Sequence, residues 1–184
     1  SDSDQEKFHR KLNNSVFPGT CSSYHLHHVA GKAVALAEFE EFGRAYAQDI
    51  VANAKALAGS LAARGFDVLA EDRGYTASHQ VLTRHGEQDS GAGKKAARTL
   101  EESGIITNMN MLPGDTKALS PSGLRLGVPE LTRLGMGKGE MDEVAHYFER
   151  ALIDGEDPAS VKRDVTRFKS CLLYTSPSPR DSFR

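Results

Sequence analysis

Tryptophan is absent from the 184 residues, and cysteine occurs only twice, at Cys21 and Cys171. The two cysteines sit in unlike contexts, and neither belongs to a C-x-x-C or finger spacing, so no zinc module or disulfide framework is indicated. Charge of one sign is also missing. The 23 basic and 25 acidic residues leave a net charge of −2, which supplies no field to draw nucleic acid or an anionic membrane surface. Long apolar runs are missing too. The longest Ala/Val/Leu stretch, around 29–36, is broken by Lys32 and closed by Glu38, far short of the ~20 residues that span a bilayer. Residues 1–10 are polar and acidic, unlike a signal peptide, and there is no internal repeat. These absences lead us to expect a soluble, reduced, cytoplasmic protein with no nucleic acid, membrane or metal among its partners.

Counting glycine and leaving out tyrosine, about 45% of the chain is apolar, the low end of globular usage. A chain of this length is expected to form one domain with at most an arm, and it can bury roughly 70% of its unfolded surface. Disorder of the whole is excluded. The strongest pattern is helical. Phe39, Phe42, Tyr46, Ile50, Ala54, Leu57 and Leu61 recur every three or four residues and so share one stripe, and Gly65 is a natural stop. A helix over 30–64 would be ~50 Å long, against a radius of gyration of ~16 Å for a compact domain of this size. It must bend, break near Gly43, or reach beyond one domain.

Downstream the period changes. Strands are expected over 66–70, 79–83, 105–108 and 124–128, with a helix over 93–103 stopped by Gly104. Two further helices follow: one carries the stripe Met141, Val144, Ala145, Phe148 and Leu152, and the other is capped by Asp157 with Pro158 in its first turn. A long helix followed by strands interleaved with helices indicates a small α/β sandwich. The tail 171–184 shifts abruptly to Ser, Pro and Arg without a periodic apolar face. It reads as a non-native extension and is set apart from the fold.

Four stretches invite chemistry. Residues 90–96, Ser-Gly-Ala-Gly-Lys-Lys-Ala, fail the phosphate-loop pattern, because Lys95 stands where Ser or Thr is needed; they read as a flexible helix start. His25, His27 and His28 are dense, but no carboxylate or Cys follows at ligand spacing. With Ser22 and Ser23 they suit either an ordinary cap or an anion site at a helix start. Arg125 lies in Gly123-Leu124-Arg125-Leu126-Gly127, and an arginine within an apolar strand is costly unless its charge is paired. It reads equally as a bidentate clamp for a carboxylate or as an edge-strand arginine reaching solvent. Asn108 and Asn110 flank Met109 before a Pro113-Gly114 turn. Their amides could read a ring by paired hydrogen bonds, although turn chemistry is the simpler reading.

Five segments then appear in order: Lys-Leu-Asn-Asn-Ser-Val-Phe-Pro-Gly at 11–19, Val-Ala-Asn-Ala-Lys-Ala-Leu-Ala at 51–58, Ser-His-Gln-Val at 78–81, Gly-Ile-Ile-Thr-Asn-Met-Asn at 104–110, and the stretch 121–132. Together they resemble the C-terminal part of serine hydroxymethyltransferase across about residues 11–170. The Thr-Cys-Ser-Ser-Tyr-His run at 20–25 is closer to the form of archaeal and other divergent members than to the common Gln-Gly-Gly-Pro-His.

The resemblance implies an α/β fold: the C-terminal small domain of a fold-type I pyridoxal-phosphate enzyme, a short sheet packed with helices and preceded by a long connecting helix. Residues 1–29 would be a remnant of the cofactor-binding large domain, 30–64 the connecting helix and 65–170 the small domain. The implied activity is reversible conversion of serine to glycine, with the one-carbon unit passed to tetrahydrofolate or another reduced pterin, in a homodimer or tetramer. By resemblance Arg125 grips the substrate carboxylate, Asn110 contacts the pterin, and Ser22 and Ser23 help hold the cofactor phosphate of the neighbouring subunit. No His-Lys dipeptide occurs, so the family's Schiff-base lysine is expected to lie outside this chain, and the chain alone is expected to be inactive. Rival readings are a related pyridoxal-phosphate aldolase or transaldolase of β-hydroxy amino acids, and a non-catalytic α/β binding module.

Overall fold

The computed structural model describes residues 2–175. The chain divides into two compact units, residues 1–44 and 45–184. In the first, helix α1 (Asp2–Asn14) leads through an irregular turn at Ser15–Thr20 to the start of α2 (Leu26–Ala63). No residue between 3 and 44 is buried. Helix α1 was not expected from the sequence, because its first turns carry no apolar stripe. Helix α2 is uninterrupted at Gly43, and the boundary between the units falls within it, at Arg44 and Ala45. Of the three ways to accommodate its length, the helix takes the third. Its stripe splits accordingly: Phe39 and Phe42 are exposed, whereas Ala54, Leu57 and Leu61 are fully buried.

The second unit is built on a four-stranded, wholly antiparallel sheet of β1 (Asp67–Val68), β2 (Gln80–Arg84), β3 (Asn108–Asn110) and β4 (Gly123–Gly127), in the order β1-β2-β4-β3. Around it lie α3 (Ala92–Glu102), the short α4 (Pro129–Arg133), α5 (Lys138–Leu152) and α6 (Pro158–Thr175). Strand alternation sends Val68, Val81, Thr83, Leu124 and Leu126 to one face. There the four apolar residues of this set pack with Leu57 and Leu61 of α2, Leu100 of α3, and Met141 and Phe148 of α5 in a single core. The small α/β architecture expected from the sequence is therefore present. Strand β1 is shorter than the expected 66–70, and β3 is displaced, sharing only residue 108 with the expected 105–108. The left-handed backbone of Ala70 closes the β1 end, and residues 105–107 leave the ladder, with Ile106 exposed. Helix α6 continues past Cys171 to Thr175, so the fold extends into the tail set apart above. The rest of that tail lies outside the described residues.

Polar contacts fix the joints of this unit. Tyr46 Oη donates to Pro129 O at 2.8 Å. The buried Asn53 amide donates to Thr132 Oγ1 at 3.0 Å and to Met136 O at 2.8 Å. Arg64 forms a fork on Asp142 at 2.7 and 3.1 Å. Arg150 joins Glu156 and Asp164, at 2.9 and 2.8 Å, across the turn between α5 and α6. Asn53→Ala strands the Met136 carbonyl in the core, and chemical denaturation should show a loss of about 1–3 kcal/mol. An unchanged midpoint would mean that the amide is dispensable.

Candidate functional site

The second face of the sheet carries the polar residues. Pairing sets Arg125 opposite Leu82 on β2 and opposite Asn108 on β3, while Asn110 lies opposite Gly123 and Gln80 opposite Gly127. Residues directly opposite share a face, so Arg125, Asn108, Asn110 and Gln80 stand together, away from Leu124 and Leu126. The sequence left open an arginine held in an apolar strand and an edge-strand arginine reaching solvent; β4 is an inner strand, between β2 and β3. The two-residue period turns its leucine neighbours inward and Arg125 outward, where it is exposed. Its charge therefore bears no full desolvation cost in this chain.

Among the described residues Arg125 forms no ion pair. Its partner is an amide: in the orientation that satisfies both groups, Asn108 Oδ1 accepts from Arg125 Nη2 at 2.9 Å, and Asn108 Nδ2 donates to Met109 O at 3.2 Å. Glu130, at the same rim, is occupied by Arg133 at 2.6 and 2.9 Å. Asn110 is half-buried and donates to Met111 O at 2.6 Å, the local turn chemistry considered above. Beside this group opens a cavity of about 700 Å³, lined by Arg125, Asn108, Thr107, Leu126, Tyr147 and Phe168 among others. The buried Thr107 Oγ1 has no hydrogen-bond partner among the described residues.

Ser22 and Ser23 belong to the other unit. They lie in the exposed loop ahead of α2, and neither hydroxyl has a partner among the described residues. His25, His27 and His28 pack ring against ring, with centroids 4.2 to 5.5 Å apart. No group of three or more His, Cys, Asp or Glu among the described residues is placed to hold a metal ion.

Two features escaped the sequence reading. The first explains the glycine-rich stretch 90–96. A Cβ on Gly93 would sit 2.2 Å from Gly123 O and 2.7 Å from Gly123 N, so the glycine allows α3 to lie directly on β4 behind Arg125. The second is a pair of aspartates that lace the loop before α3 to the loop before β4. Asp115 accepts from the backbone N–H groups of Leu112, Ser122 and Asp89 at 2.8–2.9 Å, and from the Ser122 hydroxyl. Asp89 accepts from Thr116 and Lys117 in the same way.

The N–H of Leu112, followed by those of Ser122 and Asp89, holds the Asp115 carboxyl far below its ordinary 3.8, and the Thr116 hydroxyl leads the lowering at Asp89. A carboxylate lowered in the folded state stabilises fully above its unfolded value, and that stabilisation is lost as pH falls towards the folded one. The melting temperature of the wild type should therefore decline below about pH 4, and Asp115→Asn should lower it at pH 7 and flatten the acid limb. A parallel acid limb in the variant would contradict this role.

A sequence profile for serine hydroxymethyltransferase matches residues 2–148. The serine hydroxymethyltransferase of Pyrococcus horikoshii is 53% identical over 161 residues, covering 86% of this chain and 38% of that protein. That of Thermococcus kodakarensis is 53% identical over 162 residues, covering 87% and 38%. The chain belongs to the serine hydroxymethyltransferase family. It spans about two-fifths of the length of these curated relatives, and the likeness to archaeal members expected from residues 20–25 is present across the match. Among solved structures, the L-threonine transaldolase of Pseudomonas fluorescens in its internal aldimine state superposes with a TM-score of 0.80 at 31% identity, covering 92% of this chain and 38% of that one. The fold is therefore that of a segment of a fold-type I pyridoxal-phosphate enzyme.

Proposed function

We propose that this chain is the C-terminal portion of a glycine hydroxymethyltransferase, which interconverts serine and glycine and passes the one-carbon unit to tetrahydrofolate or another reduced pterin. The observation that carries the proposal is Arg125: an arginine without an ion pair among the described residues, held by an amide on the open sheet face of a chain in this family. A guanidinium forks onto a carboxylate through two parallel N–H donors, which fixes orientation as well as position. Gripping the substrate's acid end sets the rotation about Cα, so that the bond to be broken is presented correctly. Pyridoxal phosphate, when bound, supplies the electron sink for that cleavage.

The residues present suit the cofactor's periphery. The free hydroxyls of Ser22 and Ser23, ahead of a helix start, are donors suited to a phosphate held by the neighbouring subunit. Asn110 would contact the pterin once its bond to Met111 O is given up. The exposed apolar side chains of the first unit, among them Phe8, Leu12, Phe39 and Phe42, favour a homodimer or a tetramer. In this reading, residues 1–29 belong to the cofactor-binding domain, 30–64 connect, and 65–170 form the small domain. No helix among the described residues is long and apolar enough to cross a membrane, in keeping with a cytoplasmic enzyme.

The 53% identity to hydroxymethyltransferases favours this activity over the transaldolase reading that the solved neighbour raises. Assay of the longer enzyme with serine separates the two. Glycine formation that depends on tetrahydrofolate supports hydroxymethyl transfer, whereas pterin-independent exchange with an aldehyde acceptor would overturn it. The 184-residue chain alone should neither turn over serine nor yield a borohydride-trapped lysine with pyridoxal phosphate. A trapped lysine would contradict the expected absence of the Schiff-base residue.

A further inference from the structure

We infer that Asn108 is the positioning residue for the carboxylate-binding arginine: its amide oxygen holds one edge of the Arg125 guanidinium while leaving the charge unspent. The inference rests on the reading of Arg125 as the carboxylate anchor. Three observations carry it.

The first is register. Asn108 and Arg125 are direct cross-strand partners at the last rung of the β3–β4 ladder, where the backbones set the approach of the two side chains. The second is the anchoring of the amide itself. Its Nδ2 donates to Met109 O, which leaves Oδ1 directed at Arg125 Nη2. An amide tied at its nitrogen cannot rotate its oxygen away without losing that bond.

The third is the charge balance around the guanidinium. Across the other strand its partner is Leu82, which offers no acceptor. The nearby Glu130 is engaged by Arg133, and no ion pair reaches Arg125 among the described residues. A guanidinium has five N–H donors. One is spent on a neutral acceptor, which orients the plane without cancelling the positive charge. A carboxylate at position 108 would orient the group equally well, but it would occupy the fork meant for substrate and compete with the incoming acid. A side chain that restrains but does not neutralise is what an anion site requires of its arginine.

The test uses the longer enzyme with its cofactor, and compares Asn108→Ala, Asn108→Ser, Asn108→Asp and Arg125→Ala for serine KM, glycine Kd and kcat. Asn108→Ala should raise serine KM and glycine Kd about 10-fold, as loss of one hydrogen bond to a charged group implies, with a much smaller change in kcat. Asn108→Ser, which keeps a neutral acceptor, should recover part of that loss. Asn108→Asp should be worse than alanine, at about 100-fold, because the introduced carboxylate pairs with the arginine. A merely structural role would instead lower the melting temperature and kcat in alanine and aspartate variants alike.

A second readout needs no substrate. Nitrogen NMR of the 184-residue chain should show separated Nη signals for Arg125, reporting hindered rotation, and these should merge in Asn108→Ala. Arg125→Ala raising KM while all three Asn108 variants match the wild type would overturn the inference and leave the arginine reading standing. Arg125→Ala without effect would overturn both. Merged Nη signals in the wild type would likewise overturn the inference.

Discussion

If the proposed function holds, alanine in place of Arg125 should lower the affinity of the cofactor-loaded longer enzyme for glycine by about 100-fold, with the melting temperature unchanged. The size follows from what is removed. Truncating one partner of a hydrogen-bonded charge pair costs about 2–5 kcal/mol, and each 1.4 kcal/mol is a factor of about ten. The absence of a stability effect follows from the place of the side chain, since Arg125 is exposed and its side-chain contact is with Asn108. Exposed substitutions of this kind stay within about 0.5 kcal/mol. Isothermal titration with glycine beside a thermal melt checks both halves. Arg125→Lys keeps the charge but not the fork, and should recover only a minor part of the affinity. Full affinity in either variant would remove the basis for assigning the carboxylate to this strand.

Gly93→Ala should be the most damaging single methyl group in the second unit. The added carbon would stand 2.2 Å from Gly123 O and 2.7 Å from Gly123 N, and a strand backbone cannot swing aside as a side chain does. Overpacking of a well-filled site costs about 1–3 kcal/mol; a backbone collision belongs at the upper end, at about 3 kcal/mol or with loss of folding. The shift must propagate to Arg125, two residues along β4 from Gly123, so any folded Gly93→Ala protein should also bind glycine less well. Gly59→Ala is the control of opposite sign. It lies within α2 with nothing inside 4 Å of the new carbon, and alanine there should stabilise by about 0.5–1 kcal/mol. Urea titration of both variants reads the contrast, and equal, small effects would mean that α3 does not lie on β4 this closely.

Much of this architecture is legible in the residues themselves. The stripe Ala54, Leu57, Leu61 and the stripe Met141, Ala145, Phe148 announce α2 and α5, and Asp157 with Pro158 announces the start of α6, where Asp157 Oδ2 accepts from Ser160 N at 3.2 Å. Helix α1 is illegible to a method that looks for a buried face, because Phe8 and Leu12 remain exposed. Helix α4 is too short to show a period.

The exposure of Arg125 stayed open in the sequence for a different reason. Its leucine neighbours suggest burial by composition, whereas the two-residue period assigns it to the opposite face. The same period makes Asn108 the direct cross-strand partner of the arginine, while Asn110, opposite Gly123, only shares its face. The meaning of Gly93 is invisible in sequence, since its neighbour in space is thirty residues away. The aspartate lacing at Asp89 and Asp115 is likewise long-range, although two aspartates flanking Gly- and Pro-rich loops were a signal that could have been followed.

A crystal structure of the longer enzyme with pyridoxal phosphate and glycine bound tests the assignment most directly. It should place both carboxylate oxygens of glycine about 3 Å from the Arg125 guanidinium nitrogens, with Asn108 Oδ1 still on the remaining edge. Glycine bound through its carboxylate to another residue, with Arg125 turned to solvent, would contradict it.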